Sequence, residues 1–189
     1  KAYKPENKSI VSGQVLQCPY DFQKARLVVR EMADALALDL VDKGLVTNQL
    51  VLTVGYDREN LDDPNRAARY KGPVTADRYG RKIPKHAVGT ENFPYTSSAN
   101  DLLKAVTVLY DRIVDQNLLI RRLSISANKL LDEASASKEK PAEQLDLFTD
   151  YAAKEQQEEA DRAAHARERK LQEAMLDIKK KYGKNAILK

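Results

Sequence analysis

The spacing of apolar residues in the first part of the chain predicts a strand followed by a helix. Residues 9–16 are typical of a short strand, and the Cys18-Pro19 pair is expected to end it. Asp21 then begins a helix, because its carboxylate can accept hydrogen bonds from the free amides of the first turn. Apolar residues recur at steps of three and four and give this helix one buried face: Phe22, Ala25, Val29, Met32, Leu36 and Leu40. Gly44 is the expected left-handed residue after its end.

A period of two replaces the helical spacing in the next segment. In residues 49–56, large apolar side chains alternate with smaller ones, which predicts a second strand. Residues 57–71 carry turn chemistry, including an Asp-Asp-Pro-Asn run. A third strand is expected within residues 82–93, where Pro84 and Gly89 weaken it or place it at the edge of a sheet.

The second helix and the last strand follow. Ser98 can cap the helix, with Asp101 at the position where Glu is more common. Its apolar positions again share one face: Leu102, Ala105, Val106, Leu109 and Ile113. Residues 119–125 are expected to form the last strand. Its apolar residues point one way, and the residues that point the other way are Arg122, Ser124 and Ser126.

These elements together predict an α+β domain with the order β-α-β-β-α-β. The expected sheet has four mostly antiparallel strands, and the two helices cover one of its faces. The other face would be open and would carry Arg122, Ser124 and Ser126, joined by the basic third strand. An open, polar and basic sheet face suits the backbone of a nucleic acid.

After Leu131 the composition becomes that of a linker followed by a long polar helix. We expect a domain over residues 1–131, a linker over 132–149 and a helical tail over 150–189. The helical pattern runs over residues 149–182, with a thin apolar stripe: Ala160, Ala164, Leu171, Met175, Ile178 and Tyr182. Such a stripe fits a single docking seam, and a charged helix surrounded by solvent is the alternative.

Charge and composition narrow the class of partner. The 189 residues carry a net charge of +4, and basic residues concentrate between Arg66 and Lys85, where Asp77 is the one acid. Such clustering suits a polyanion, and a solvated basic loop is the alternative. The chain begins with Lys1, without a signal-peptide pattern or a membrane-spanning apolar run, so we expect a soluble, cytoplasmic piece of a longer protein. One cysteine, Cys18, excludes a disulfide framework and a Cys-rich metal site.

A short apolar motif stands out in the polar linker: Gln144, Leu145, Asp146, Leu147 and Phe148. Apolar residues in such a linker have no core to enter, so they predict a binding site for a partner. A short element folded back on the domain is the alternative. The motif resembles the clamp-binding pentapeptide of bacterial DNA polymerases and repair proteins. This resemblance implies that Leu147 and Phe148 fill an apolar pocket of a sliding clamp, while Gln144 forms a hydrogen bond at the rim.

Segments spread over nearly the whole chain carry a second resemblance. They are Lys-Ser-Ile-Val-Ser-Gly-Gln-Val-Leu at 8–16, Tyr-Gly-Arg at 79–81, Pro-Tyr-Thr-Ser-Ser at 94–98, Ile-Arg-Arg-Leu-Ser-Ile at 120–125, and the closing Lys-Lys-Tyr-Gly-Lys-Asn-Ala-Ile-Leu-Lys at 180–189. With the pentapeptide, they resemble the C-terminal part of Y-family, lesion-bypass DNA polymerases, and more narrowly the UmuC/MucB/ImpB branch of Gram-positive bacteria. Val11 departs from the Ser-Ile-Ser run that the family more often has.

This resemblance implies that residues 1–131 are a little finger domain, which holds the template-primer duplex through its sheet. The residues expected to contact DNA are Lys8, Ser9, Arg78, Arg81, Lys82, Lys85, His86, Arg122, Ser124 and Ser126. For His86, a strand histidine exposed to solvent is the alternative. The catalytic carboxylates and their Mg²⁺ ions are expected in the palm of the parent DNA polymerase, so we expect no catalytic residue, metal or cofactor in this fragment. A further repair protein is a candidate partner of the tail helix.

Two other functions stay open from the sequence. The first is an RNA-binding sheet domain of ferredoxin-like topology with a helical adaptor tail, although no strand here has the aromatic pattern on which such domains stack bases. The second is an interaction module whose basic segment is solvated. Binding to primed duplex, to an RNA hairpin, or to neither would separate these functions from the first.

Overall fold

A computed structural model describes residues 8–136, 151–183 and 186 of the chain, and these residues form strands β1 to β7 and helices α1 to α6. In chain order the elements are β1 (Ile10–Tyr20), α1 (Phe22–Asp42), β2 (Leu45–Tyr56), α2 (Glu59–Asp62), α3 (Pro64–Arg69), β3 (Val74–Ala76), β4 (Lys82–Pro84), β5 (Ala87–Thr96), α4 (Ala99–Ile113), β6 (Ile120–Asn128), β7 (Leu131–Asp132), α5 (Glu133–Ala136) and α6 (Tyr151–Tyr182).

Four of the strands form one antiparallel main sheet in the order β1-β6-β2-β5, and β7 pairs with the first residues of β2. Helices α1 and α4 pack against each other on one face of this sheet. The predicted β-α-β-β-α-β order and the two helices on one face are therefore confirmed. Strands β3 and β4 form a separate two-stranded hairpin, which is inserted between β2 and β5.

Both large helices of the domain begin at the predicted caps. The Asp21 carboxylate accepts a hydrogen bond from the backbone N of Lys24 at 2.8 Å, and Ser98 Oγ accepts one from the backbone N of Asp101 at 3.2 Å. Gly44, with a φ of 62°, adopts the left-handed conformation after α1, as predicted.

The core lies between the main sheet and the two helices. Leu50, Leu52 and Val54 of β2 are fully buried on the side that faces the helices, as are Leu123 and Ile125 of β6. Because successive side chains of a strand point to opposite faces, the residues between them lie on the open face of the sheet.

Two contacts hold α4 close to its neighbours. Gly89 of β5 lies directly beneath the helix, where a Cβ atom would come within 2.7 Å of Ile113 Cγ2 and 2.8 Å of Leu109 Cδ1. The buried hydroxyl of Tyr110 donates a hydrogen bond to the carbonyl O of Phe22 at 2.9 Å. Both contacts fix the position of α4 over the sheet.

The first strand is longer than the sequence predicts. The sequence predicted that the strand ends at Cys18 and Pro19, but β1 continues through both residues to Tyr20. Pro19 is tolerated because β1 is an edge strand and its pairing with β6 is irregular between Val15 and Tyr20.

The predicted third strand over residues 82–93 is in fact two strands of two different sheets. β4 pairs with β3 in the hairpin, whereas β5 pairs with β2 at the edge of the main sheet. Lys82 therefore lies on the hairpin, and Lys85 and His86 lie just after it, so none of these basic residues is on a strand of the main sheet. Pro84 ends β4, and residues 85–86 connect the two strands. The turn predicted over residues 57–71 contains the short helices α2 and α3.

Regular structure continues past Leu131 in β7 and α5, and α6 packs on the domain through polar side chains. The Glu168 carboxylate accepts hydrogen bonds from Ser98 Oγ at 2.7 Å and from the backbone N of Asn100 at 2.9 Å. Gln172, only 4% exposed, donates to the carbonyl O of Ser97 at 3.1 Å. These contacts place α6 against the first turn of α4.

Three residues of the apolar stripe predicted along α6 are exposed in this chain. Leu171 is 61% exposed, Ile178 40% and Tyr182 67%. These three residues are not the seam by which α6 packs on the domain, because Glu168 and Gln172 form the hydrogen bonds with the start of α4. A docking seam for a partner protein stays a prediction. In the part of the chain that the structure describes, no helix combines the length and the apolar character needed to cross a membrane.

Candidate nucleic-acid interface

The open face of the main sheet is lined by short side chains. Ser124 and Ser126 of β6 lie at its centre, and the residues that pair with Ser124 are Gly13 of β1 and Thr53 of β2. Exposed valines complete this face: Val11, Val15 and Val88. Because no long side chain stands between them, an extended backbone can approach the face closely.

The predicted residues of β6 and β1 lie along this face. Arg122, Ser124 and Ser126 form one row on β6, as the alternation of the sequence predicted. Lys8 and Ser9 lie beyond the other end of this row, because Ile10 pairs with Ala127 and the carbonyl O of Lys8 accepts a hydrogen bond from Leu130 N at 3.4 Å. The open face therefore has cationic residues at both ends and neutral residues between them.

A cleft of about 910 Å³ separates the hairpin from the Arg122 end of the open face. We call it the basic cleft. Its basic lining residues are Arg58, Arg78, Arg81, Lys85, His86, Arg121 and Arg122. Its acidic lining residues are Asp57, Glu59, Asp62 and Asp77. The structure thus brings together five residues that the sequence predicted to contact DNA from three separate segments of the chain.

Ion pairs neutralise some of these cations. Arg81 Nη2 lies 2.7 Å from Asp77 Oδ2. Arg121 pairs with Asp57 at 3.8 Å, and Arg58 pairs with Asp62 at 3.4 Å.

The remaining arginines and lysine of the basic cleft are available to a ligand. Among the side chains of residues 8–136 and 159–183, no ion pair is formed by Arg78, Lys85 or Arg122. A phosphate would therefore meet these cations without displacing a carboxylate.

A bulge in β6 separates the two consecutive arginines. Arg122 pairs with Gly55, but the next pair in the register is Ile120 with Tyr56, so Arg121 is the extra residue. Arg121 turns away and donates a hydrogen bond to the carbonyl O of Gln17 at 3.0 Å. Arg122 is left on the open face at the mouth of the basic cleft.

Gly55 makes room beside Arg122. A Cβ atom at this position would lie 3.2 Å from Arg122 Cβ and 3.6 Å from His86 Nε2. The glycine therefore allows a cationic side chain and an imidazole to share one small area of the cleft.

The turn of the hairpin is held by one carboxylate. Asp77 Oδ1 accepts hydrogen bonds from the backbone N of Tyr79 at 2.8 Å and of Arg81 at 3.0 Å, and Arg81 Nε donates to Asp77 Oδ2 at 2.8 Å. The hydrogen bond from Arg81 is the main reason why the pKa of Asp77 lies below its ordinary value. Gly80, with a φ of 77°, provides the left-handed residue that closes the turn.

Asn60 is a positioning residue that the sequence did not reveal. It is fully buried, and its Nδ2 donates to the carbonyl O atoms of Asp57 and Leu119 at 2.8 Å each. Its Oδ1 accepts a hydrogen bond from Leu119 N at 2.8 Å. Asn60 thus joins the wall of the cleft to the start of β6, and a lone Asn in a turn-rich segment carries no periodic signal that would predict this.

Lys82 is not brought to the basic cleft with the other predicted residues. It lines a different hollow, of about 610 Å³, together with Leu61 and Val74. Because Arg58, Asp62 and Arg81 line both hollows, Lys82 lies beside the basic cleft but is not part of its lining.

The acid pair of the turn has structural partners. Asp63 Oδ1 accepts hydrogen bonds from the backbone N of Asn65 at 2.8 Å and of Arg66 at 3.3 Å and so caps α3. Asp62 forms the ion pair with Arg58. Among the described residues, no group of three or more His, Cys, Asp or Glu side chains could hold a metal ion. The Mg²⁺ ions of the parent polymerase stay a prediction.

The predicted clamp-binding motif, residues 144–148, lies outside the described residues. Its binding role is therefore also a prediction from the sequence.

Comparisons with known proteins place the chain in a family. The model of the impB/mucB/samB family C-terminal domain matches residues 7–147. No curated protein matches the sequence. One similar solved structure is described as the complex of a beta-clamp processivity factor and the little finger domain of PolIV; it is 10% identical, with a TM-score of 0.42, and the alignment covers 75% of this chain and 100% of that chain. Because the family match spans every strand and most of the chain, this protein belongs to the impB/mucB/samB family and contains its C-terminal domain, which confirms the resemblance to the C-terminal part of Y-family polymerases.

Proposed function

We propose that this chain is the DNA-binding and clamp-binding C-terminal region of a lesion-bypass DNA polymerase. In this proposal the open face and the basic cleft hold the template-primer duplex without reading its sequence. The observation that carries it is the position of Arg78, Lys85 and Arg122, which have no acidic partner among the described residues and surround one end of a flat, neutral sheet face.

The chemistry of this surface suits the DNA backbone better than the base edges. Guanidinium and ammonium groups bind phosphate strongly, and Ser124 and Ser126 can add hydroxyl hydrogen bonds to phosphate or sugar. Both large helices of residues 8–136 lie on the other side of the main sheet, so neither is placed to enter the major groove and read bases from the open face. Binding should therefore depend strongly on salt and weakly on sequence.

The slope of affinity against salt concentration tests this proposal. Each phosphate contact contributes about 0.9 to the slope of log K against log salt, so Arg122→Ala and Lys85→Ala should each lower the slope by about that amount on any duplex sequence. Arg30→Ala, on the exposed side of α1, is the matched control and should leave the slope unchanged. Slopes of both cleft variants equal to that of the control would refute DNA binding at the basic cleft.

Arg81 and Lys82 should contribute less to DNA binding than Arg122. Arg81 is already bound by Asp77, and Lys82 faces a different hollow. The sequence predicted phosphate contacts for all of these basic residues, and we now propose that their contributions to DNA binding are unequal.

Clamp binding is proposed from the motif at residues 144–148. Burial of Leu147 and Phe148 in an apolar pocket contributes roughly 1.5–3 kcal/mol for each side chain, and ordering the segment offsets part of this, so a micromolar Kd is expected. Leu147→Ala with Phe148→Ala should abolish binding of a purified bacterial clamp and leave DNA binding and Tm unchanged. Leu171→Ala with Tyr182→Ala, which removes exposed apolar residues elsewhere, is the control. A large fall in Tm for the first pair would show instead that the motif packs in the domain.

The parent protein is proposed to be a Mg²⁺-dependent DNA polymerase whose catalytic carboxylates are not in this chain. The purified chain should therefore incorporate no nucleotide with any divalent metal ion. The exposed stripe of Leu171, Ile178 and Tyr182 is the surface that a further repair protein would contact.

The RNA-binding alternative fits the topology less well. A split β-α-β domain of the ferredoxin-like type has its first strand at the centre of the sheet, whereas β1 is at an edge here. An RNA hairpin included in the salt titration separates the two functions, because tighter binding of the hairpin than of primed duplex would favour the alternative.

A further inference from the structure

The tip of the hairpin presents an aromatic ring to solvent between two cations. Tyr79 is 69% exposed, and the guanidinium carbons of Arg78 and Arg81 each lie 5.1 Å from the centre of its ring. Both arginines are within the distance at which a cation is attracted to an aromatic ring. The three side chains form one cluster, which we call the hairpin tip.

The hairpin tip is held in place by its own turn. The hydrogen bonds to the Asp77 carboxylate fix the backbone of Tyr79 and Arg81, and Gly80 N donates to the carbonyl O of Asp77 at 2.9 Å. A side chain that is already held in its binding position loses less entropy when a ligand arrives. The turn therefore provides a preorganised aromatic surface.

The position of the tip indicates what kind of ligand it would meet. Tyr79 lines the basic cleft together with Lys85 and Arg122, the two cations proposed to bind phosphates. A nucleic-acid strand held there by its phosphates would bring bases within reach of the ring. Bases inside a duplex are stacked on both faces, whereas an unpaired base beside the duplex has a free face to offer.

We propose that Tyr79, with Arg78 and Arg81, is a stacking site for an unpaired base of single-stranded DNA adjoining the duplex. This inference rests on the proposed function, because binding of the duplex at the basic cleft would bring the adjoining single strand to Tyr79. A basic groove combined with an exposed aromatic side chain is the arrangement by which proteins bind single strands with little sequence preference. The ring would stack on the base, and Arg78, which forms no ion pair among the described residues, would contact the adjacent phosphate.

A primed duplex with a template overhang, carrying the fluorescent base 2-aminopurine in the overhang, tests this site against a blunt duplex of the same length. Tyr79→Leu should weaken binding of the overhang substrate about tenfold and remove the quenching of the fluorescent base, because stacking of one base contributes about that much. Its affinity for the blunt duplex should be unchanged. Tyr79→Phe, which keeps the ring, should behave as wild type on both substrates.

Tyr182 provides a matched control. It is 67% exposed, and Lys181 Nζ lies 5.2 Å from its ring, but it is not among the residues that line the basic cleft. Tyr182→Leu should therefore bind both substrates as wild type does. Equal binding and quenching of the overhang by Tyr79→Leu and Tyr182→Leu, with blunt duplex still bound, would overturn the stacking site alone. Failure of the wild type to bind blunt duplex would instead overturn the proposed function.

Discussion

The two faces of the main sheet are built from the same strands but from opposite kinds of side chain. Beneath α1 and α4, the side chains are aliphatic and fully buried, as at Leu52 and Leu123. On the open face most are short and polar, as at Thr53 and Ser124, with exposed valines among them and Arg122 at one end. The covered face thus supplies the free energy of folding, and the open face is free to bind a ligand because the fold does not depend on it.

Neighbouring positions of β6 show this difference most clearly. Leu123 is inaccessible to solvent, while Arg122, one residue earlier, is exposed at the basic cleft. A substitution at the first should change stability, and a substitution at the second should change binding.

The largest expected effect is on the covered face. Leu123→Ala leaves a cavity in the core and should lower the free energy of unfolding by about 2–5 kcal/mol. Ser124→Ala, on the open face of the same strand, should change it by less than about 0.5 kcal/mol. Urea denaturation of both variants measures the difference, and similar losses for the two would contradict the division between the faces.

Glycine positions sharpen the same comparison. Gly89→Ala places a methyl group within 2.8 Å of two side chains of α4, so it should destabilise the domain by about 1–3 kcal/mol. On the open face, the nearest atom to a Cβ at Gly13 is the carbonyl O of Leu123 at 3.9 Å, which is an ordinary contact. Gly13→Ala should therefore be neutral or slightly stabilising, since alanine has less entropy to lose than glycine. Thermal melts of the two variants measure whether each substitution raises or lowers Tm.

Alkaline pH should lower the free energy of unfolding through two buried tyrosines of the core. Burial raises the pKa of Tyr110 well above its ordinary value of 10 and raises that of Tyr56 in the same direction. The contribution of these tyrosines to the free energy of unfolding is fully present below pH 10. Above pH 10 the tyrosines of the unfolded chain lose protons that those of the folded chain keep. The free energy of unfolding should then fall by about 1.4 kcal/mol per pH unit for each such tyrosine. Tyr110→Phe should have a shallower decline between pH 10 and 12, and an unchanged decline would assign alkaline unfolding to other groups.

The smallest expected effect concerns α6, whose contacts with the start of α4 include two hydrogen bonds to Glu168. Glu168→Ala removes the acceptor of two hydrogen bonds and should lower the free energy of local opening of α6 by about 1 kcal/mol. Glu159→Ala, on an exposed position of the same helix, is the control. Hydrogen exchange of the α6 amides measures the opening, and exchange in the strands should be the same in both variants.

The order of elements could be predicted because each left a periodic pattern. The apolar spacing of α1, the alternation in β2 and β6, and the caps at Asp21 and Ser98 are local signals, and the structure confirms them. The same alternation placed Arg122 on the open face. Local patterns do not predict which of several segments, distant in sequence, a strand or helix will pack against.

Two segments illustrate that limit. The segment over residues 82–93 has strand character throughout, but nothing local shows that β4 pairs within the hairpin and β5 with β2. In α6 the apolar stripe was visible in the sequence, but the hydrogen bonds of Glu168 and Gln172 with the start of α4 decided which side docks. For the same reason the basic cleft, which joins residues from the hairpin and β6, could not be predicted as one site.

The most direct test of the account is to observe which face DNA covers. Exposed aliphatic side chains on both sides of the domain serve as matched probes: Val11, Val15 and Val88 on the open face, and Leu27 and Val108 on the helices. In the chain labelled at Val and Leu methyl groups, titration with primed duplex should shift the NMR signals of the three open-face valines and leave those of Leu27 and Val108 in place. Shifts confined to Leu27 and Val108 would place the DNA on the helices and contradict the assignment of the open face.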